Sequence, residues 1–101
     1  MNYTVRDQAG VREIVLRGQL TFEANDDFRK IIEGMEKGGV TECVLNLGHL
    51  DFIDSAGLGL LVLANNTANR SRVRLTLRQP RGQVREMIEI SEFHTIIPCE
   101  F

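Results

Sequence analysis

The stretch Val44–Leu61, which reads VLNLGHLDFIDSAGLGLL, decides how this chain folds. It begins within an apolar run, Cys43–Leu47, that has the length and composition of a buried strand. It ends in apolar residues with helical spacing. Between the two parts lie Asp54 and Ser55, and both residue types cap helices well because a short side-chain oxygen accepts a free N–H of the first turn. The stretch therefore predicts a strand, a turn and a helix in succession.

Two glycines, Gly57 and Gly59, follow directly on this cap. Each costs a helix roughly 1 kcal/mol relative to alanine, so helix propensity does not account for them. Glycine leaves the backbone bare and allows another surface to approach closely. The sequence therefore predicts a serine, Ser55, at a helix start beside a surface that is free of obstructing side chains.

The composition indicates a single domain that spans residues 1–101. Of the 101 residues, 43% are hydrophobic and 26% are charged, which is ordinary for a soluble globular protein. The formal net charge of −2 gives no electrostatic footprint for nucleic acid or an anionic membrane. No apolar run approaches the roughly 20 residues that span a bilayer, and no signal peptide is recognisable. We therefore expect a cytoplasmic protein that binds no nucleic acid, does not insert into membranes and is a monomer when free.

Cysteine and histidine spacing does not point to a bound metal. Cys43 and Cys99 lie far apart without a C-x-x-C pattern, and two unpaired thiols suit a reducing compartment. His49, which we place in a loop, and His94 are the only histidines, and neither has a second ligand at metal spacing. A nucleophilic Ser55 needs a base, and the surrounding sequence is not the G-x-S-x-G elbow. We expect no metal, no cofactor and no enzymatic activity.

Hydrophobic periodicity along the chain predicts the order β-β-α-β-α-β-α-β. Strand–helix–strand units with connections of this length build a mostly parallel sheet. We therefore expect an α/β fold with one mixed, mostly parallel sheet of four to six strands and three or more helices, which cover one or both faces. The strand Val40–Leu47 has little alternation, which predicts a central strand that is covered on both faces. The other predicted strands are Tyr3–Val5, Val11–Leu16, Val73–Leu77 and Thr95–Ile97, with a hairpin turn at Gln8–Gly10. The first predicted helix runs from Phe22 or Glu23 to about Lys37, the second from just after Ser55 to about Asn69, and the third from Gln83 to about Ser91.

This order and the central motif resemble the STAS domain of bacterial anti-sigma factor antagonists. The resemblance covers nearly the whole chain, and its most specific part runs from Leu45-Asn46-Leu47 to DSAGLG at Asp54–Gly59. Weaker matches are Leu16–Leu20 and Val84–Phe93. The resemblance implies a STAS fold over residues 1–101.

The resemblance also implies a phosphorylation switch. In that family the serine at this position is phosphorylated by a partner that is both an anti-sigma factor and a serine protein kinase, and a PP2C-type serine phosphatase removes the phosphate. The unphosphorylated form binds the anti-sigma factor and frees a sigma factor, which regulates transcription. Carried over, Ser55 is the phosphoacceptor. The implied partner surface comprises Thr21, Asp54, Ser55, Ala56, Gly57, Leu58, Gly59, Leu61 and Val62, where Thr21 replaces an acidic residue that many relatives carry.

Two alternatives to the switch stay open from the sequence. The chemistry of Ser55 alone also fits a plain helix cap. Stand-alone STAS proteins are also subunits of ABC-type lipid transport complexes, in which the same helix contacts the transporter ATPase and phosphorylation is not required. The alternative function is therefore that of a non-switching interaction subunit.

Overall fold

The computed structural model describes residues 1–101 as one five-stranded sheet and three α-helices. The strands are β1 (Asn2–Gln8), β2 (Val11–Leu20), β3 (Glu42–Ile53), β4 (Arg74–Arg78) and β5 (Cys99–Glu100), and the helices are α1 (Asn25–Glu36), α2 (Ser55–Arg70) and α3 (Gly82–Ile90). β1 pairs antiparallel with β2, and every other neighbouring pair is parallel. The predicted α/β fold with a mixed, mostly parallel sheet is confirmed.

The helices all lie on one face of the sheet. The strands follow one another in the sheet in chain order, so every crossover steps in the same direction, and right-handed crossovers then place their helices on the same side. Accordingly Phe28 of α1, Leu61 of α2 and Ile88 of α3 are buried in one core cluster together with Leu45 of β3. The opposite face carries no helix, so β3 is central, as predicted for Val40–Leu47, but helices cover only one of its two faces.

Charged side chains shield the open face of the sheet in place of helices. Asn46 Nδ2 donates to Glu13 Oε2 at 3.4 Å, and Arg78 Nη1 lies 3.9 Å from the same oxygen. Arg78 Nε also donates to Glu100 Oε1 at 2.9 Å. Val44 is only 3% exposed on this face, because it lies between Glu13 and Arg78 in a shallow, polar-walled depression. This polar cover explains why the sequence of β3 reads as if both of its faces were buried.

The predicted hairpin joins β1 to β2 through Ala9 and Gly10, whose φ angles are 52° and 81°. Beside this turn, Arg12 Nε donates to the Asp7 carboxylate at 2.8 Å, and Arg12 Nη1 donates to the carbonyl oxygen of Gly34 at 3.1 Å. A Cβ on Gly34 would lie 3.1 Å from that same nitrogen. The glycine inside α1 therefore gives the arginine room to reach the backbone of the helix.

Several element boundaries differ from the predicted ones. β2 continues to Leu20, four residues beyond the predicted end at Leu16. β3 continues six residues beyond Leu47, so His49 lies in a strand and not in a loop. α1 is preceded by a 3₁₀ turn that starts at Phe22. The final strand was predicted at Thr95–Ile97, but it is β5 that pairs with β4. The backbone N–H of Ile97 donates to the Phe93 carbonyl oxygen, and the Ile97 side chain packs into the core. Strand pairing is therefore left to the residues after Pro98.

Cys43 makes stability sensitive to alkaline pH. Burial of this thiol in β3 raises its pKa from 9.0 to about 11. In the unfolded chain the thiol ionises near pH 9, whereas in the folded chain it remains neutral. The free energy of unfolding is therefore unaffected by this thiol below pH 9, and it falls by about 2 to 3 kcal/mol as the pH rises to about 11. Urea unfolding across this interval measures the loss. The variant Cys43→Ala retains Cys99 and the other ionisable groups, so an identical pH dependence in the variant would contradict the prediction.

Candidate functional site

The first turn of α2 assigns different roles to the two predicted capping residues. Asp54 has an extended backbone, and its Oδ1 accepts a hydrogen bond from the N–H of Gly57 at 2.8 Å. Its carbonyl oxygen accepts the N–H of Leu58 at 3.0 Å. Asp54 is therefore the N-cap, and Ser55 is the first helical residue. The Ser55 side chain is exposed and forms no hydrogen bond within the chain, so the structure gives it no role as a cap.

Strand β2 fixes the position of this turn from one side. Leu20 pairs with Ile53 at the ends of the two parallel strands, and the Leu20 carbonyl oxygen accepts the N–H of Asp54 at 3.4 Å. The chain then leaves β2 through Thr21 and Phe22. The loop before α1 therefore begins beside the N-terminus of α2, and Thr21 lies at the start of that loop.

The two glycines of the motif occupy opposite environments. Gly57 is buried, and a Cβ built on it would lie 2.0 Å from the carbonyl oxygen of Leu20 and 2.7 Å from Ile53 Cγ1. Gly59 is exposed, and a Cβ built on it would meet nothing within 4 Å. The internal packing of this domain therefore requires Gly57, whereas nothing inside the domain requires Gly59.

The structure divides the predicted partner surface into exposed and buried members. Gly57 and Leu61 point into the protein, and Leu61 is 0% exposed. The prediction that these two residues contact a partner directly is corrected, because a core residue on the inner side of α2 cannot touch a partner. The residues that do reach the surface, fully or in part, are Thr21, Asp54, Ser55, Ala56, Leu58, Gly59 and Val62.

One exposed aromatic residue at this end of the sheet was missed from the sequence. Phe22 is 76% exposed in the 3₁₀ turn that follows Thr21. The buried stripe of α1 consists of Phe28, Ile31, Ile32 and Met35, and Phe22 lies outside its spacing. That spacing is the available signal, because a phenylalanine off the buried side of a helix faces solvent. Together with Leu58 and Val62, which are half-buried on α2, it gives this end of the molecule an apolar character.

The histidines do not join the site. His94 lies in a 3₁₀ turn near the C-terminus, where its ring meets the edge of Phe101 at a centroid distance of 5.8 Å. His49 lies on β3 opposite Arg17, and no hydrogen bond links either histidine to Ser55. No group of three or more His, Cys, Asp or Glu side chains is arranged to hold a metal ion.

No helix combines the length and apolar character needed to cross a bilayer.

Removal of the cap should weaken the first turn of α2 measurably. We expect Asp54→Ala to lower the free energy of unfolding by about 1 kcal/mol, because the Gly57 N–H loses its acceptor. Asp54→Asn keeps an oxygen at the same position, so we expect its stability to remain within a few tenths of a kcal/mol of the original. Urea unfolding of the three proteins gives the values. Equal destabilisation by alanine and asparagine would contradict the role of Asp54 as N-cap.

Comparison with known proteins agrees with this architecture. A family model described as the STAS domain matches residues 2–100. The BtrV protein of Bordetella bronchiseptica, which is named as an anti-sigma factor antagonist, is 40% identical over 60 residues, or 59% of this chain and 52% of BtrV. The matched segment thus spans about half the length of that relative.

Solved structures show the same fold at low sequence identity. The anti-sigma factor antagonist SpoIIAA in its unphosphorylated form has a TM-score of 0.81 and 24% identity, covering 99% of this chain and 89% of SpoIIAA. The phosphorylated form of SpoIIAA from Bacillus has a TM-score of 0.73 and 22% identity, with coverage of 99% and 92%. A sulfate transporter family protein from Wolinella succinogenes has a TM-score of 0.76 and 16% identity, with coverage of 89% and 73%.

Proposed function

Because the chain belongs to the STAS domain family, we propose that it is an anti-sigma factor antagonist controlled by phosphorylation of Ser55. The observation that carries the proposal is the free, exposed hydroxyl of Ser55 beside the Asp54 cap. A serine that served only to close the helix would bond to the first turn, and Asp54 already does so. The hydroxyl is therefore accessible to an external group.

The first turn of α2 suits a phosphate. The macrodipole and free N–H groups at a helix N-terminus favour negative charge, so a phosphate on Ser55 is tolerable for the fold. The Ser55 side chain forms no hydrogen bond within the chain, so modification of its hydroxyl breaks none. We therefore infer that phosphorylation leaves the domain folded and acts on what the domain binds.

The partner in this proposal is an anti-sigma factor that also has serine kinase activity. It would contact the apolar end of the molecule formed by Phe22, Leu58, Gly59 and Val62, with Ser55 at its border. A phosphate adds about −1.5 to −2 charges, which would have to be desolvated in such a contact. The unphosphorylated form would bind the anti-sigma factor and release a sigma factor for transcription in the cytoplasm, and a PP2C-type phosphatase would restore that form. The domain itself would have no enzymatic activity.

The non-switching alternative, a subunit of a lipid transport complex, uses the same surface without the phosphate. An exposed serine with no internal bond favours the switch, because a constitutive contact does not require a hydroxyl there. The two functions also differ in the partner, which is a kinase in one case and a transporter ATPase in the other.

Intact-mass analysis of the protein purified from its native host, followed by peptide mapping, tests the proposal. We expect one phosphate on Ser55, which disappears in Ser55→Ala. Ser91→Ala is the matched control, because Ser91 is also exposed but its hydroxyl donates to the Met87 carbonyl oxygen; this variant should keep the phosphate. If no phosphate appears on Ser55 in cells that lack serine phosphatase activity, the switch is excluded and the constitutive module is favoured.

A further inference from the structure

The end of β3 lacks a strand partner on its β4 side. β4 ends at Arg78, which pairs with Asn46, whereas β3 continues to Ile53. At Ile53 the missing partner is supplied by a side chain. Gln83, in the first turn of α3, accepts the Ile53 N–H through Oε1 at 2.9 Å and donates from Nε2 to the Ile53 carbonyl oxygen at 2.8 Å.

A primary amide can replace a peptide group in this position because it carries one acceptor and a donor at a similar spacing. In a parallel sheet the N–H and C=O of one residue point to the same neighbour, and here the Gln83 amide takes both. Ile53 is 0% exposed, so without Gln83 both backbone groups would be buried and unsatisfied. The two hydrogen bonds therefore hold the final residue of β3 from the side opposite to β2.

The next residue along the chain is the cap of α2. Asp54 donates its N–H to the Leu20 carbonyl oxygen, and its carboxylate accepts the Gly57 N–H. A continuous set of hydrogen bonds thus runs from Gln83 through Ile53 and Asp54 to the first turn of α2. β2 holds one edge of the segment Ile53–Asp54, and the Gln83 amide holds the other.

We propose that Gln83 is a positioning residue for Ser55, and that it couples α3 to the phosphoacceptor end of α2. The Gln83 backbone belongs to α3, and its neighbour Val84 is buried in the core. The position of α3 therefore fixes the position of the Gln83 amide. A partner that displaces the first turn of α3 would withdraw the amide and loosen the segment that presents Ser55. That the site is a phosphoacceptor rests on the function proposed above, whereas the coupling itself does not.

NMR on the unmodified protein tests the coupling with three variants. Gln83→Met keeps the size of the side chain and removes both hydrogen bonds, and Gln83→Glu keeps only the acceptor for Ile53. Glu86→Met is the matched control, because Glu86 is an exposed residue of α3 that forms no hydrogen bond through its side chain. The readouts are amide hydrogen exchange at Ile53, and relaxation dispersion at the amides of Ser55 and Gly57.

In Gln83→Met we expect exchange at Ile53 to accelerate by roughly tenfold or more relative to core amides such as that of Leu45, because a buried partner is lost. New microsecond-to-millisecond exchange should appear at Ser55 and Gly57. Gln83→Glu places a carboxylate oxygen against the Ile53 carbonyl oxygen, so exchange at Ile53 should accelerate at least as much as in Gln83→Met, and Glu86→Met should match the original protein.

A uniform acceleration of all slow amides would reduce Gln83 to a general stabilising residue and overturn the proposal. An unchanged Ile53, or a faster Ile53 with an unchanged Ser55 and Gly57, would overturn it as well. These readouts need neither kinase nor phosphate, so a failure of the coupling is distinguishable from a failure of the phosphorylation switch.

Discussion

Gly57→Ala is expected to lower the free energy of unfolding by about 3 kcal/mol or more, because the new methyl group overlaps backbone that cannot move aside. The Cβ would lie 2.0 Å from the carbonyl oxygen of Leu20 and 2.9 Å from its carbonyl carbon. Relief requires α2 to move away from β2, which also strains the hydrogen bond between Asp54 and Leu20. Urea unfolding monitored by circular dichroism measures the loss.

Gly59→Ala is the matched control, since it makes the same substitution two residues further along the same helix. A Cβ there meets nothing, so the helix propensity of alanine should raise the free energy of unfolding by roughly 1 kcal/mol. The two variants should thus change stability in opposite directions. Equal destabilisation of both would mean that α2 is merely intolerant of alanine, and would remove the steric explanation for Gly57.

If the proposed function holds, a phosphate on Ser55 is expected to weaken binding of the anti-sigma partner more than a hundredfold. Loss of about 3 kcal/mol of binding free energy is sufficient for this, and burial of an unpaired doubly charged group costs at least that much. The thermal midpoint of the free domain should change little, because Ser55 lies outside the core and outside the cap. Isothermal titration calorimetry with the purified partner gives the affinity, and calorimetry of the free domain gives the midpoint.

Two further proteins sharpen this experiment. Ser55→Ala should bind the partner about as tightly as the original, because it introduces no charge. Phosphoserine placed at position 91 adds the same charge at the end of α3 opposite to Gln83, which contacts Ile53, and should leave the affinity within a few-fold of the original. If phosphoserine at either position weakens binding equally, the effect is one of net charge, and Ser55 is no specific switch.

Local patterns predicted most of this fold, and the errors arose where distant parts of the chain decide. The helix that ends near Lys37 and the turn at DSAGLG depend on local patterns, and the structure has both. Val44 reads as a core residue, but it is covered by charged side chains from two other strands. The final strand was placed at Thr95–Ile97 because apolar content resembles a strand, whereas pairing with β4 selects the residues after Pro98.

Prediction of the candidate site was limited in the same way, because its geometry depends on residues that are distant in the sequence. Asp54 and Ser55 are equally good caps by residue type, and only the geometry at Gly57 gives that role to one of them. Gly57 and Gly59 look alike in sequence, yet the carbonyl oxygen of Leu20 leaves no room for a side chain at Gly57, whereas Gly59 faces solvent. Gln83 contacts a residue 30 positions away, which no pattern along the chain reveals.

The identity of strand order and chain order has a consequence for how the protein is made. After the hairpin, each new strand–helix unit adds to the edge left by the preceding one, so that no strand has to insert between two that are already paired. The paired residues of β2 and β3 nevertheless lie 31 to 33 positions apart, so the crossover must close a loop of that length before the strand can pair. Because later strands only add at an edge, the amino-terminal hairpin and the first crossover can assemble while the ribosome is still adding the later units, and the first turn of α2 can dock on β2 before α3 emerges.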